Sequence, residues 1–143
     1  GMEAFVAQMN RKAKSLGINN SRFSDPAGLR TENLSTARDL ARMIAAARTY
    51  PLITQSTTTV REEVQPYTRR GPLSYGNTNR LLKNANWNIE LSKTGFIRDA
   101  GRCLVMLANI EGEEVSIVLL NSYGKLTPFG DSNRLRQWML ASS

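Results

Sequence analysis

The sequence contains no histidine and only one cysteine, Cys103, among its 143 residues. The absence of histidine excludes a Ser-His-Asp triad, a Cys-His dyad and every zinc site that needs an imidazole. A single cysteine excludes an internal disulfide, and its place in an apolar run predicts a buried structural thiol. Any hydrolytic chemistry must therefore use a serine or threonine with a lysine base, or paired carboxylates. We expect no metal or cofactor.

Long hydrophobic runs and acidic residues are also scarce. No apolar run reaches the about 20 residues that span a membrane, and no signal peptide is recognisable. Lysine and arginine number 19 against 12 acidic residues, which gives a net charge of +7. The basic residues are dispersed without an aromatic stacking pattern, so no specific nucleic-acid site is predicted. The charge instead predicts a solvated surface that attracts anionic polymers non-specifically.

The first third of the chain has the periodicity of two amphipathic helices. Apolar residues recur at helical spacing from Met2 to Leu16, and Gly17 follows as a stop signal. The first helix is therefore expected to bury one face. Because its pattern is already under way at Met2, the chain is expected to lack its natural beginning. A capping box at Thr36 opens the second helix, and Pro51 marks its approximate end.

Three apolar segments further along have the length and composition of strands: residues 87–96, 103–108 and 115–120. The last two are nearly continuous apolar runs, which are typical of strands that are covered on both faces. Glu111 and Gly112 between them suit a hairpin turn and antiparallel pairing. Residues 57–60 also favour an extended segment, and an irregular stretch follows it.

The chain closes with a predicted short helix over residues 134–140. Leu135, Trp138 and Met139 are expected to face inward, and Trp87 and Trp138 are interpreted as core residues. Helices, then strands, then a final helix make an α+β pattern, with an antiparallel sheet flanked by helices.

Three consecutive residues of the first predicted strand can bind a carboxylate. Lys93 supplies positive charge, Thr94 a directional hydrogen bond, and Gly95 close access to the backbone. In penicillin-recognising serine enzymes a Lys-Thr-Gly motif accompanies Ser-x-x-Lys and Ser-x-Asn motifs. Taken alone, Lys93 is better interpreted as a solvated lysine that protects a sheet edge from aggregation; the ordered segments across the chain reverse that preference.

The two companion motifs are absent from this chain. No Ser-x-Asn occurs, and the only Ser-x-x-Lys string runs from Ser122 to Lys125. The chemistry needs the serine and the lysine on successive turns of one helix, but Gly124 and Pro128 argue against a helix there. We therefore interpret Ser122 as a turn serine and not as a nucleophile.

Ordered segments across the whole chain resemble one family: residues 5–10, 13–17, 23–29, 35–40, 77–82, 91–96 and 100–104. They are similar to the D-alanyl-D-alanine carboxypeptidases, which are low-molecular-mass penicillin-binding proteins, in the region that follows their Ser-x-Asn motif. Residues 87–91 and Phe96 resemble most the D-alanyl-D-alanine endopeptidase subgroup, which cuts cross-links between stem peptides in murein.

The resemblance implies a fold like that of the β-lactamases and transpeptidases, with residues 1–143 as the C-terminal part of one such domain. It implies an exported, periplasmic serine peptidase that forms an acyl-enzyme with peptidoglycan stem peptides ending in D-Ala and with β-lactams. The nucleophile, its lysine base and the Ser-x-Asn residues would precede Met2. Self-association through surface that the missing segment would cover is also expected.

Carried over to this chain, the family's site would use four consecutive residues of the strand. Lys93 would be the electrostatic anchor, and Thr94 would donate to the carboxylate of the substrate or β-lactam. Gly95 would let the substrate lie along the strand edge. The backbone N–H of Phe96 would be one of two oxyanion-hole donors.

Other residues near the motif have two interpretations each. Asn77 and Asn79 could contact a substrate or shape a turn. Arg98 could assist carboxylate binding or form an exposed ion pair with Asp99, and Asp25 is expected to be a turn residue. The alternative function is a non-catalytic module whose basic surface holds an anionic polymer.

Overall fold

The computed structural model describes all of residues 1–143, which form four α-helices and five strands. The helices are α1 (Met2–Ser15), α2 (Ala37–Ala47), α3 (Pro51–Thr58) and α4 (Thr127–Ala141), with a short 3-10 helix at Arg80–Lys83. The strands are β1 (Arg61–Val64), β2 (Leu73–Gly76), β3 (Asn88–Ile97), β4 (Gly101–Ile110) and β5 (Glu113–Ser122). The predicted α+β class and antiparallel sheet are confirmed.

The main sheet is antiparallel, with the strand order β3-β4-β5. The predicted hairpin joins β4 to β5 through Glu111 (φ 51°) and Gly112 (φ 85°). Both residues have the positive φ that a two-residue turn of the primed type requires. β4 lies in the centre, which leaves β3 and β5 as the two edges.

The apolar run in β4 exists because helices cover both faces of the sheet. On one face, Leu104 and Met106 are buried with Trp87, and side chains of α4 pack against them. On the other face, Leu107 is buried against Ile44 of α2. Neighbouring residues of a strand point to opposite faces, so a strand that is covered twice is apolar almost throughout.

A second sheet, which pairs β1 with β2, lies outside the core. Every residue of both strands is exposed, and the two strands are antiparallel. The sequence predicted only irregular structure over most of this stretch. The hairpin leads directly into the segment that precedes the 3-10 helix.

The prediction of an extended segment at residues 57–60 is wrong for its first half. Thr57 and Thr58 end α3, which begins at Pro51, where proline is well tolerated. Both threonine hydroxyls donate to the carbonyl of Thr54, at 3.3 and 2.7 Å. These bonds satisfy the hydroxyls within the helix and so offset the weak helix propensity of threonine.

The closing helix is longer and more exposed than predicted. It begins at Thr127, because Pro128 fits the first turn, where its missing N–H is not needed. Met139 packs against the core as expected. Trp138, however, is 67% exposed and Leu135 is 39% exposed, so their assignment to the core is wrong. They are three residues apart and share the solvent face of α4.

The predicted buried face of α1 is also largely open. Ala13 is the only buried residue of this helix, whereas Met2 and Phe5 are exposed. The side chain of Asn10 holds α1 to the following loop by bonding the backbone N–H and carbonyl of Phe23, at 2.9 and 2.8 Å. None of the helices is both long enough and apolar enough to cross a bilayer.

Candidate active site at the outer edge of β3

The Lys-Thr-Gly motif lies on β3 as predicted, and β3 is an edge strand. Lys93, Thr94 and Gly95 face Val105, Leu104 and Cys103 of β4 on their inner side. A cavity of about 710 Å³ opens beside them. Most of its lining comes from the motif with the adjoining ends of β3 and β4, a loop around residues 25–29 and the start of α4, and Met9 of α1 and Thr78 complete it.

The backbone of β3 presents unpaired groups to the outer edge at alternate residues. The N–H of Ser92 donates to the hydroxyl of Thr57 at 3.3 Å, so it points away from β4. In an antiparallel pair, alternate residues point the same way, and no register shift occurs between Ser92 and Phe96. The N–H groups of Thr94 and Phe96 therefore also point outward. That of Phe96 makes no hydrogen bond to a loop or a side chain.

The ammonium of Lys93 lies at the same outer edge. Its Nζ donates to the backbone carbonyl of Thr94 at 2.5 Å, and this carbonyl shares the outward direction of the Thr94 N–H. Lys93 is exposed, and the ion pairs of the structure involve only Arg42, Arg48 and Arg134. The charge of Lys93 therefore has no acidic partner and can attract an anion.

Three consecutive polar residues before the 3-10 helix fix the outer edge of β3. Asn79 is 1% exposed, and its Nδ2 donates to the hydroxyl of Ser92 at 2.7 Å. The hydroxyls of Thr78 and Thr94 lie 2.5 Å apart. Asn77 bonds the end of α3 through Nδ2, at the carbonyls of residues 57 and 59. The structural interpretation therefore holds for Asn77 and Asn79.

The loop opposite β3 is organised by one carboxylate. Asp25 accepts backbone hydrogen bonds from the N–H groups of residues 27–30, at 2.6 to 3.2 Å, and a bond from Asn33 Nδ2 at 2.7 Å. Desolvation would raise the pKa of the Asp25 carboxyl, but the bonds from Arg30, Asn33, Leu29 and Ala27 together hold it well below its usual value. Asp25 is a turn residue, as predicted, and also a wall of the cavity.

Two further cations line the cavity. Arg102 lies on β4 directly opposite Phe96, and its guanidinium carbon is 3.9 Å from the centre of the Phe96 ring. Lys125, just before α4, also lines the cavity. Arg98 is not among the lining residues, and it forms no ion pair with Asp99. Neither interpretation of Arg98 therefore has support in the structure.

The cavity can bind and polarise a ligand, but its lining offers no Ser-Lys pair. Thr78 and Thr94 supply hydroxyls, and no serine is among the lining residues. Ser122 ends β5 and is followed by a turn, so Lys125 does not share a helix with it. Cys103 lines the cavity and is half-buried, not buried as predicted.

Sequence reasoning missed the roles of Thr78 and Arg102. Thr78 lies between Asn77 and Asn79, and the polar run that these three residues form before the 3-10 helix is the available signal. Arg102 could have been found from the register, because a short turn from β3 to β4 places it opposite Phe96.

The fold defines the class of protein to which this chain is similar. The crystal structure of the DD-transpeptidase of Streptomyces superposes with a TM-score of 0.85 at 26% sequence identity. The match covers 97% of this chain and 55% of that one. The penicillin-binding and transpeptidase type of fold is thereby confirmed.

Sequence comparison narrows the class to a family. The chain is 47% identical over 139 residues to a D-alanyl-D-alanine endopeptidase of Pseudomonas aeruginosa. It is 48% identical over 140 residues to one of Escherichia coli. Each match covers 97% of this chain and 45% of the relative, so the chain spans a little less than half of their length.

Residues 1–124 match the D-alanyl-D-alanine carboxypeptidase family of peptidases, and the chain belongs to that family. The match corresponds to the C-terminal part of the family's domain. The resemblance found in the sequence is thereby confirmed. Membership of this family supports an enzyme of this class by resemblance.

Proposed function

We propose that the protein that contains this chain is a serine-type D-Ala-D-Ala peptidase that acts on peptidoglycan stem peptides or their cross-links. Residues 1–143 are the C-terminal part of a single penicillin-binding domain. They carry the strand that binds the substrate carboxylate, while the nucleophilic serine and its lysine base belong to sequence outside this chain. The relatives named D-alanyl-D-alanine endopeptidase, at 47% and 48% identity, support the substrate class.

One observation carries the proposal. The ammonium of Lys93, the hydroxyl of Thr94 and the unpaired N–H of Phe96 all lie on the outer edge of β3, beside the same cavity. Charge-assisted hydrogen bonds to a carboxylate are about twice as strong as neutral ones. An aligned oxyanion donor contributes about 2.7–4 kcal/mol to acyl transfer. Lys93 and Thr94 would bind the carboxylate, and the N–H of Phe96, two residues after Thr94 on β3, would stabilise the oxyanion.

The chemistry divides between the two ends of the motif. Lys93 and Thr94 hold the carboxylate of the terminal D-Ala, while Gly95, which has no neighbouring atom within 4 Å of an added Cβ, lets the peptide run along the edge. The serine oxygen bonds to the carbonyl carbon of the penultimate D-Ala as its proton passes to the lysine base. The N–H of Phe96 stabilises the oxyanion that forms. The terminal D-Ala leaves with a proton, and water then hydrolyses the ester.

The proposed substrate sets the location and the inhibitors. Stem peptides lie in the bacterial cell envelope, so the protein acts in the periplasm or outside the cell. β-Lactams present a carboxylate beside a reactive carbonyl, so they enter the same edge and acylate the same serine.

Labelling with a fluorescent penicillin tests the proposal. In the full-length protein, Lys93→Ala is expected to slow acylation by about 10- to 100-fold, since hydrogen bonds to charged groups are worth about 1.5–3 kcal/mol. Lys83→Ala is the matched control, because this exposed lysine of the 3-10 helix does not line the cavity. Acylation that is unchanged in Lys93→Ala would remove Lys93 from the site. Stable labelling of the isolated 143-residue chain would show that the nucleophile has been misplaced.

A further inference from the structure

The hairpin of β1 and β2 is an exposed arm that begins beside the candidate site. Every residue of its two strands is exposed, and the strands contact mainly each other. β2 ends at Gly76, Asn77 follows, and Thr78 already lines the cavity. The base of the arm is therefore two residues away from the rim of the cavity.

Hydrogen bonds hold the arm at its base and at its tip. At the base, the N–H of Asn77 bonds the carbonyl of Val60 at 2.8 Å, and its Nδ2 bonds two carbonyls at the end of α3, at 3.0 and 3.1 Å. At the tip, Gln65 Nε2 donates to the carbonyls of Tyr67 and Arg70, at 2.8 and 2.5 Å. An isolated two-stranded hairpin is only marginally stable in water, so these bonds give the arm a defined shape.

One face of the arm is largely apolar and open. In the antiparallel register Val64 lies opposite Leu73, and Glu62 lies opposite Tyr75, so these side chains share one face. Val64 and Leu73 are 40% and 42% exposed, and Tyr75 is 58% exposed. A sheet face of this kind normally packs against another layer, and no other part of this chain covers it.

The tip of the arm adds an aromatic ring and two cations without acidic partners. Arg69 and Arg70 form no ion pair, and the chain between Glu63 and Glu90 has four basic residues and no acidic one. The guanidinium carbon of Arg70 lies 5.5 Å from the centre of the Tyr67 ring. Five consecutive residues of this loop line an open cavity of about 480 Å³. The arm therefore combines apolar and aromatic surface with positive charge.

We propose that this arm binds a neighbouring unit of the murein polymer whose stem peptide occupies the catalytic cavity. Each unit carries sugar rings, whose C–H faces are apolar, and a stem peptide with free carboxylates. The sugar rings fit Tyr67, Tyr75 and the apolar face, because an aromatic side chain suits a ligand that is apolar on one side and hydrated on the other. The carboxylates fit Arg69 and Arg70, since guanidinium groups pair with carboxylates. This inference rests on the proposed function, because it assumes that the cavity receives a stem peptide of the same polymer.

The test separates the arm from the cavity in the full-length protein. Binding to purified sacculi is measured by co-sedimentation of the penicillin-acylated protein, in which the cavity is occupied and cleavage is blocked. The rate of acylation by a fluorescent penicillin measures the cavity alone. We expect Tyr67→Ala combined with Tyr75→Ala to weaken sacculus binding by about 5- to 25-fold, at about fivefold for each interface aromatic that contributes. Arg69→Ala combined with Arg70→Ala should weaken it by about fivefold and reduce its salt dependence. The acylation rate and the melting temperature should stay unchanged.

Matched substitutions outside the arm control for lost aromatic surface and lost charge. Tyr50→Ala removes a tyrosine of similar exposure, 49%, just before α3. Arg11→Ala combined with Lys14→Ala removes the same charge as the arginine pair from exposed positions on α1. Both controls should bind sacculi like the wild type. Losses as large as those of the arm variants would show non-specific adsorption to the basic surface and overturn the inference.

Two other occupants of the arm would give different results. If the remainder of the full-length protein covers the apolar face, Tyr75→Ala lowers the melting temperature. If a second copy covers it, Tyr75→Ala lowers the mass measured by light scattering. Either result, or sacculus binding that the arm variants leave unchanged, would overturn the inference and leave the proposed function standing. A wild-type protein that is not acylated and cleaves no cross-link in sacculi would overturn the proposed function, and this inference with it.

Discussion

The two outer edges of the main sheet have the same length but opposite surroundings. Along β3, side chains from other elements bond the strand at Ser92 and Thr94, and the N–H groups of Thr94 and Phe96 are left open. Along β5, the only polar contact made outside the sheet and its own turn is the ion pair between Arg48 and Glu114. Other elements therefore hold the β3 edge in place by hydrogen bonds, whereas the β5 edge has no such bonds.

This difference shows what distinguishes an edge strand that carries a candidate site from one that does not. An edge strand presents unpaired backbone donors and acceptors in either case. On β3, the bonds from Thr57, Thr78 and Asn79 satisfy or orient the groups around Lys93 and leave the N–H groups of Thr94 and Phe96 open beside a cavity. Catalytic stabilisation depends on donors that are held in place before the charge develops. β5 has open groups without that support, and none of its residues lines the cavity.

The largest effect is expected from removing the open backbone donor of Phe96 on β3. Phe96→Pro deletes the backbone N–H that the proposal assigns to the oxyanion hole. Because this N–H points away from β4, the ladder of the sheet loses no bond, and proline is tolerated on such an edge. We expect the acylation rate of the full-length protein by a fluorescent penicillin to fall by about 10²- to 10³-fold.

Phe96→Ala is the matched control for this experiment, because it removes the ring and keeps the N–H. It also removes the contact with the Arg102 guanidinium, so it measures what that contact contributes. An exposed cation–π contact is worth only about 0.5–1 kcal/mol. If Phe96→Ala slows acylation as much as Phe96→Pro, the side chain and not the N–H is responsible. Far-UV circular dichroism would establish that both variants keep the fold.

A second, smaller effect is expected from making the β3 edge resemble that of β5. Asn79→Ala removes the bond to Ser92 and the bond from the N–H of Leu81 to Asn79 Oδ1, at 3.0 Å, and both partners are buried. Buried groups left without a partner cost about 1–3 kcal/mol. Urea unfolding of the full-length protein should show a loss of free energy of unfolding in that range. Asn86→Ala, at an exposed position, should change it by less than about 0.5 kcal/mol.

The sequence predicted the strand that carries the site better than the surroundings that organise it. The bounds of β3, the hairpin at Glu111 and the position of Lys93 followed from local patterns, because alternation, turn residues and a short motif are read over a few neighbours. The bond between Thr78 and Thr94 joins two separate elements. No local pattern encodes such a pairing, so the structure was needed to find it.

The errors of the sequence analysis have a similar cause. β propensity predicts an extended segment at Thr57, yet its hydroxyl is satisfied within α3 by the carbonyl of Thr54. The size of Trp138 predicts a core residue, but Phe129, Met139 and Leu140 make the core contacts of α4 instead. In both cases local composition favours one structure, and hydrogen bonding or packing in the folded chain selects another.

The smallest effect concerns the edge of β5. Its outer backbone groups have no partner in this chain, and Leu120 beside them is 40% exposed. Such an edge can pair with the same edge of a second copy. We expect the isolated 143-residue chain to self-associate weakly, with an apparent mass in light scattering that rises with protein concentration.

A lysine substitution on β5 should distinguish edge pairing from non-specific association. Ser116→Lys places a lysine at an exposed position in the middle of β5, where natural proteins use lysine to prevent edge-to-edge contact. Ser56→Lys adds the same charge on the exposed surface of α3. If β5 is the contact, only Ser116→Lys lowers the association, whereas a general effect of net charge lowers it equally in both variants. A wild-type chain that stays monomeric from micromolar to millimolar concentration would mean that the unpaired edge of β5 is satisfied by water alone.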